Sequence, residues 1–203
     1  MSSERINSVA LLKVDGLGKR YGARWLFRNL SFELGRGDAL IILGRNGSGK
    51  STLLKAMAGL LAPSEGRIVH SVDDRRTGLS FAALEMSLYP ALTLREHLEL
   101  AGDLRGIDAD AVALLERVGL TAARDLQASQ ISTGMKTRLK LALAIQPKPA
   151  ILLLDEPGAG LDEVGKSLIE SICAEQRSQG VLVIATNDPA ERRLGTCELE
   201  LES

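Results

Sequence analysis

The stretch Gly44-Arg45-Asn46-Gly47-Ser48-Gly49-Lys50-Ser51 is built to grip phosphate. It fits the pattern G-x-x-x-x-G-K-[ST] at every fixed position. Glycines let backbone N–H groups turn inward around phosphate oxygens, and a helix that begins at the lysine adds the positive end of its dipole. In this pattern Lys50 reaches the β- and γ-phosphates of a nucleoside triphosphate and the Ser51 hydroxyl binds Mg²⁺. Gly44, Asn46, Gly47, Ser48, Gly49 and Thr52 complete the cradle. The implied ligand is a nucleoside triphosphate with its magnesium ion.

Two later stretches add chemistry. Asp155 and Glu156 follow the apolar run Ile151-Leu152-Leu153-Leu154, so both carboxylates emerge at the C-terminal end of a buried strand. Downstream of a phosphate loop, the first such carboxylate holds Mg²⁺ and the second orients or deprotonates a water attacking the γ-phosphate. Ile131-Ser132-Thr133-Gly134-Met135-Lys136 offers hydroxyls and a bare backbone before a helical pattern, an arrangement suited to an anion at a helix N-terminus.

The elements that must carry these groups can be read from apolar periodicity. Ala39 to Leu43 is a strand leading into the phosphate loop, and Thr52 to Met57 is the helix leaving it, closed at Gly59 with Pro63 beyond. Ala10 to Val14 reads as a short strand, and Leu30, Phe32 and Leu34 alternate with Ser31 and Glu33 as in a half-buried one. Lys19-Arg20-Tyr21-Gly22 reads as a turn between them. Arg67 to His70 and Gly78 to Ala82 read as further strands joined by the polar Asp73-Asp74-Arg75-Arg76. From residue 93 the pattern is helical. Thr93-Leu94-Arg95-Glu96 is a capping box, Asp108 is placed to cap a second helix through Val118, and a third runs from about Gly134 to Ile145. A helix near 163–177, the strand Val181 to Ala185, a short helix Ala190 to Leu194 and a strand Glu198 to Leu201 follow. The expected fold is an α/β P-loop core, over 38–87 and 147–203, with an N-terminal antiparallel β region over about 8–37 and an inserted helical subdomain over 88–146. All 203 residues form one domain, with nucleotide at the C-terminal ends of the parallel strands.

Composition excludes several alternatives. A net charge of −1, from 25 basic and 26 acidic residues, gives no basic face for nucleic acid. No apolar run approaches the ~18 residues of a membrane-crossing helix, and Met1 to Val9 is too polar for a signal peptide. A cytoplasmic chain is expected. Cys173 and Cys197 have no metal-ligand spacing and imply no disulfide framework.

Taken together, the phosphate loop, Ser132-Thr133-Gly134-Met135, Asp155-Glu156 and Gly160-Leu161-Asp162 come in the order found in the ATP-binding cassette (ABC) ATPases, which the chain resembles from Tyr21 to about Pro189. The family signature, usually Leu-Ser-Gly-Gly-Gln, also occurs in the Ser-Thr-Gly-Met form. The resemblance implies that Tyr21 stacks on adenine; a turn tyrosine packed on the strand edge is the plainer alternative. It implies that Ser132, Thr133 and Gly134 contact the γ-phosphate bound by a second subunit, so that two chains clamp ATP in a C₂ dimer, homo- or heteromeric, with two composite sites. Gly160-Leu161-Asp162 resembles the loop by which the subunits sense each other, while Asp162 is equally suited to cap the next helix. The helical block is where such proteins dock an integral-membrane permease, which puts the chain on the cytoplasmic face of a membrane.

Two departures from the family pattern stand out. Leu84 occupies the position of a Gln that ligates Mg²⁺ or the attacking water, with Glu85 beside it as a substitute or as a solvated surface residue. Asn187 occupies the position of a His that hydrogen-bonds the γ-phosphate. An amide can donate a hydrogen bond but never carries charge or passes a proton. If the proton matters, turnover falls by roughly 10²- to 10⁴-fold. The favoured reading is the ATPase subunit of an ABC transporter, with Lys50, Glu156 and Asn187 as the hydrolytic residues. Short cassettes of this kind resemble those of export systems, including the haem exporter of cytochrome c maturation. Two other readings stay open: a soluble ABC ATPase acting on a non-membrane assembly, and a regulatory subunit that binds ATP and hydrolyses it weakly.

Overall fold

The computed structural model describes residues 10–108 and 110–201. The polar segment Met1 to Val9 lies outside the described residues. Two sheets and a helical block enclose three apolar clusters.

The first sheet is antiparallel, in the order β2-β1-β4, from β1 (Leu12–Tyr21), β2 (Arg24–Leu34) and β4 (Glu65–His70). The second is parallel, in the order β5-β6-β7-β3-β8, from β3 (Ala39–Leu43), β5 (Leu79–Ala83), β6 (Ile151–Asp155), β7 (Val181–Ala185) and β8 (Cys197–Glu200). Every residue of β6 and β7 is buried, as strands covered on both faces require. Helix α1 (Lys50–Met57) lies between the sheets, where Leu53, Leu54 and Met57 join Leu12, Val14 and Leu17 of β1 to Ile42, Leu153 and Val183 of the parallel sheet. On the other face, α5 (Thr133–Ile145) and α6 (Glu163–Gln179) pack Leu141, Ile145, Ile169, Ile172 and Cys173 against Leu152, Leu154, Leu182 and Ile184. At about 1.5–3 kcal/mol per fully buried aliphatic side chain, these layers hold the strand ends rigidly.

The helical block comprises α3 (Leu94–Arg105), α4 (Ala111–Arg117) and α5, closed around Leu94, Leu98, Leu115, Val118, Leu139 and Ala142. The Thr93–Glu96 capping box is present as expected, with the Glu96 N–H donating to Thr93 Oγ1 at 3.2 Å and the Thr93 N–H to Glu96 Oε2 at 2.7 Å.

Three local expectations are corrected. The segment 67–70, assigned to the P-loop core, is part of β4 and pairs antiparallel with β1, Val14 against Ile68. The turn after α1 directs this strand there: the Ser64 N–H donates to Gly18 O at 2.8 Å, and Arg67 pairs with Asp15 at 2.9 Å. The cap of α4 is Asp110, whose Oδ1 accepts from the Val112 and Ala113 N–H groups at 3.0 Å, and not Asp108. Residues 19–21, read as a turn, continue β1 to Tyr21, where they pair with β2 before turning at Gly22. The polar joint at 73–76 contains the one-turn helix α2 (Arg75–Gly78), capped by Asp74. Among the described residues no helix is long and apolar enough to cross a membrane.

Candidate active site

The strands β3, β6 and β7 end side by side, and each delivers its site residues immediately beyond its last buried position. The phosphate loop leaves β3 at Gly44, at φ 149°, a conformation that disfavours any side chain; a Cβ there would also meet Ser48 Oγ at 2.5 Å and Leu201 O at 2.7 Å. Gly49 caps α1 in the left-handed region at φ 103°, packed against Leu26 and Phe27 of β2. No side chain caps this helix and no acidic residue occupies its first turn. Its leading N–H groups and dipole are thus left facing the cleft, which is lined by Leu26, Asn46, Gly47, Gly49, Lys50, Ser51, Thr52 and Glu156.

Lys50 is buried at 6 % exposure, an environment that an ammonium tolerates only when fully hydrogen-bonded. Its Nζ donates to Gly44 O at 2.9 Å, Arg45 O at 3.4 Å and Asn187 Oδ1 at 2.8 Å, and it lies 3.9 Å from Glu156 Oε1. Asn187 also donates through Nδ2 to Asn46 Oδ1 and through its backbone N–H to Glu156 Oε2 at 3.2 Å. The tips of three separate loops therefore meet in one polar network, bringing together residues 44–50, 156 and 187. Glu156 sits at φ 49°, strained for a residue with a side chain, and is held there by its N–H bond to Ala185 O at 2.8 Å.

Asp155 is 7 % exposed, and its Oδ1 is buried without a hydrogen-bond partner. Burial pushes its carboxyl above the usual carboxylate range, opposed by a hydrogen bond from the Ser51 hydroxyl and by the Lys55 and Lys50 charges. A buried carboxylate oxygen lacking a partner, next to a hydroxyl, is the hard-oxygen donor set that Mg²⁺ takes together with phosphate oxygens. The residues present fit that ion.

The Ser132 region forms a separate groove. Ser132 caps α5, its Oγ accepting from the Met135 N–H at 3.3 Å. Thr133, Gly134, Met135 and Arg138 line one side of the groove and Gly160, Leu161 and Asp162 the other. Asp162 caps α6 through the Gly165 N–H at 2.8 Å and pairs with Arg138 at 2.6 Å, so its capping role is realised within the chain. This groove and the phosphate cleft share no lining residue. A single chain does not bring Ser132, Thr133 and Gly134 to its own Lys50.

Tyr21, at the end of β1, is 57 % exposed, with the Lys19 ammonium 5.1 Å from its ring centroid. It does not line the phosphate cleft but is near enough to Lys55 of α1 to act on its charge. Leu84 is exposed, and Glu85 pairs with Lys55 at 2.7 Å on the solvent side, 75 % exposed. Three buried polar residues near the site went unnoticed in the sequence. Lys140, read only as part of a helix, is 9 % exposed and donates to Leu84 O. Burial, with Lys136 nearby, lowers its ammonium below the usual lysine range. Thr186 and Glu191 are buried behind Asn187. Thr186 had one sequence signal, its polarity directly after the all-apolar strand β7, and Glu191 had none.

The chain is similar to known proteins over most of its length. The family model "ABC transporter" matches residues 27–159. A cytochrome c biogenesis ATP-binding export protein of Nitrosococcus oceani is 37 % identical over 186 residues, covering 88 % of this chain and 86 % of that protein. An uncharacterized ABC transporter ATP-binding protein of Bacillus subtilis is 32 % identical, covering 95 % of this chain and 92 % of its own length. Among solved structures, the ATP-binding subunit of an ABC transporter superposes with TM-score 0.83 at 27 % identity, over 95 % of this chain and 86 % of that one. A dimeric ATP-binding cassette in a post-hydrolysis state, bound to ADP and Pi, gives TM-score 0.84 at 25 % identity over 94 % of each chain.

Proposed function

This chain belongs to the ABC transporter family of ATPases, and we propose that two copies, or one copy and a paralogue, clamp ATP and drive an integral-membrane permease from the cytoplasmic face of a membrane. The chain binds and hydrolyses ATP as a transporter subunit. The observation that carries the reading is the buried Lys50 ammonium at the meeting point of β3, β6 and β7, 2.8 Å from Asn187 and 3.9 Å from Glu156.

When ATP enters, Lys50 exchanges Asn187 Oδ1 for β- and γ-phosphate oxygens, and the free N–H groups of α1 take the remaining phosphate charge. Ser51 and Asp155 would hold Mg²⁺, which would supply charge neutralisation to bound phosphate. Glu156 orients and deprotonates the attacking water. Asn187, released by Lys50, turns its Nδ2 donor to the γ-phosphate. Tyr21 offers its exposed ring to adenine. Because the Ser132-Thr133-Gly134 groove lies apart from the chain's own cleft, those donors close on the γ-phosphate of the partner chain, and Asp162 faces that junction. Closing and reopening of the pair is the motion the permease follows.

The cargo is that of the relatives named for cytochrome c biogenesis and export, and we assign the chain to a haem exporter. The experiment is affinity capture of tagged Glu156→Gln chain from detergent-solubilised native membranes with ATP. Recovery of a polytopic membrane protein together with a haem absorption band is expected. Recovery of soluble proteins alone overturns the transporter reading, and a permease without haem overturns the cargo. A second reading, a weakly hydrolysing subunit paired with a faster paralogue, is favoured by Asn187 and Leu84 at positions where the family has His and Gln. A turnover that rises on Asn187→His would support it.

A further inference from the structure

Behind the catalytic loops lies a carboxylate that the nucleotide chemistry above does not use. Glu191, in the 3₁₀ turn Pro189–Leu194, is 8 % exposed, and its Oε2 is buried without a hydrogen-bond partner. Burying a carboxylate is costly, so packing alone does not account for it. Its Oε1 lies against the Gly158 backbone, and the Thr186 hydroxyl and Gly158 N–H both oppose the burial that pushes its carboxyl up. Gly158 lies two residues beyond Glu156, and Thr186 immediately precedes Asn187. Thr186 is itself tied down: its N–H donates to Ile42 O at 3.2 Å and its Oγ1 accepts from the Asp188 N–H at 2.9 Å.

The close approach depends on a bare backbone. A Cβ on Gly158 would lie 2.3 Å from Glu191 Oε1, so any side chain there displaces the carboxylate. The geometry downstream is sensitive to that joint. Glu156 is held at a left-handed φ of 49°, and its Oε2 meets the Asn187 N–H at 3.2 Å. The strands end at Asp155 and Ala185, and just beyond them Glu156 N–H to Ala185 O at 2.8 Å and Thr186 N–H to Ile42 O at 3.2 Å still tie the two loops to the sheet.

We propose that Glu191 is a positioning residue for ATP hydrolysis: reaching from the segment after β7 to the Gly158 backbone, it locks the loops after β6 and β7 at the separation that sets Glu156 against Asn187. The inference rests on the reading that Glu156 and Asn187 act at the γ-phosphate. Misplacing a reacting group by about 1 Å costs roughly 10²-fold in rate. Glu191, Gly158 and Thr186 do not line the phosphate cleft, so ATP affinity changes little.

The test is a double-mutant cycle read as kcat, MgATP KM, affinity for a fluorescent ATP analogue and melting temperature. Glu191→Ala is expected to lower kcat about 10- to 100-fold with nucleotide affinity within about threefold. Glu191→Gln, which keeps an acceptor for Gly158 and Thr186, is expected to recover most of that loss. Gly158→Ala, which keeps the carboxylate but pushes it off the loop, is expected to reproduce it and serves where Glu191→Ala does not fold. In an Asn187→Ala background the Glu191→Ala loss shrinks to under about threefold, since the pair being positioned is already broken. An unchanged kcat, a loss that adds in full to that of Asn187→Ala, or a Gln variant as slow as Ala overturns the proposal. Failure of the underlying reading shows separately, as a Glu156→Gln chain that hydrolyses ATP at the wild-type rate.

Discussion

Replacing Asn187 by alanine should separate ATP binding from ATP hydrolysis, because the side chain sits on opposite sides of the two balances. Its Oδ1 accepts from Lys50 at 2.8 Å. Lys50 keeps Gly44 O at 2.9 Å, Arg45 O at 3.4 Å and the Glu156 carboxylate at 3.9 Å when that bond is lost, so it is not left as an orphaned charge. Asn187 Oδ1 and phosphate oxygens compete for the same Lys50 donors, so the bond opposes binding. A hydrogen bond of about 1 kcal/mol net removed from the free state tightens ATP by up to about fivefold. Hydrolysis moves the other way. Losing one donor to charge developing in a transition state costs about 2.7–4 kcal/mol, or roughly 10²- to 10³-fold in kcat. Titration with a fluorescent ATP analogue and a phosphate-release assay on the same preparation measure both. Affinity and kcat falling together would refute the reasoning, since Asn187 would then be a ground-state ligand; unchanged kcat would remove it from the chemistry. Asn187→His completes the series, with turnover above wild type if a proton or charge at this position matters.

Lys50→Ala removes the cation and the several hydrogen bonds it offers to phosphate, and ATP affinity should fall by about 10²-fold or more in equilibrium titration; retained binding would sink the phosphate-loop assignment. Lys140→Met tests the buried ammonium that donates to Leu84 O. The fold lowers its pKa below the unfolded value of 10.5, so the unfolded chain binds the proton more readily between the two. The cost to stability is therefore fully present below the folded pKa and gone above 10.5. Urea denaturation should show wild type gaining on Lys140→Met as pH rises through that window, and a pH-independent difference would show that Lys140 is not buried as described. Burial pushes the Cys173 thiol up to about 12 while Cys197 is exposed, so one thiol per native chain should react with a disulfide reagent at mildly alkaline pH and two in denaturant; two in the native state would mean that α6 does not pack on the sheet.

The residues of the phosphate-loop pattern were readable in the sequence because their chemistry forces local patterns. A phosphate loop needs glycine where φ is positive, a lysine at fixed distance and a helix directly after it. A strand buried on both faces cannot hide the point at which Asp155 and Glu156 begin. Nothing local decided where β4 would pair, because residues 65–70 fit the edge of either sheet by pattern; Ser64 N–H on Gly18 O and Arg67 beside Asp15 settle it. The neighbour of Leu84 was hidden for the same reason. The sequence showed that Leu84 has no side-chain ligand to offer, but its carbonyl is bound by Lys140, 56 residues away on the far side of the helical block. Asn187 combines both cases. Its identity was plain, and so was its inability to carry charge, but its grip on Lys50 and Asn46 exists only because three strand ends converge. That convergence changes what the residue means. Read along the chain, Asn187 is a weakened histidine; read in the fold, it also competes with any phosphate for the Lys50 ammonium.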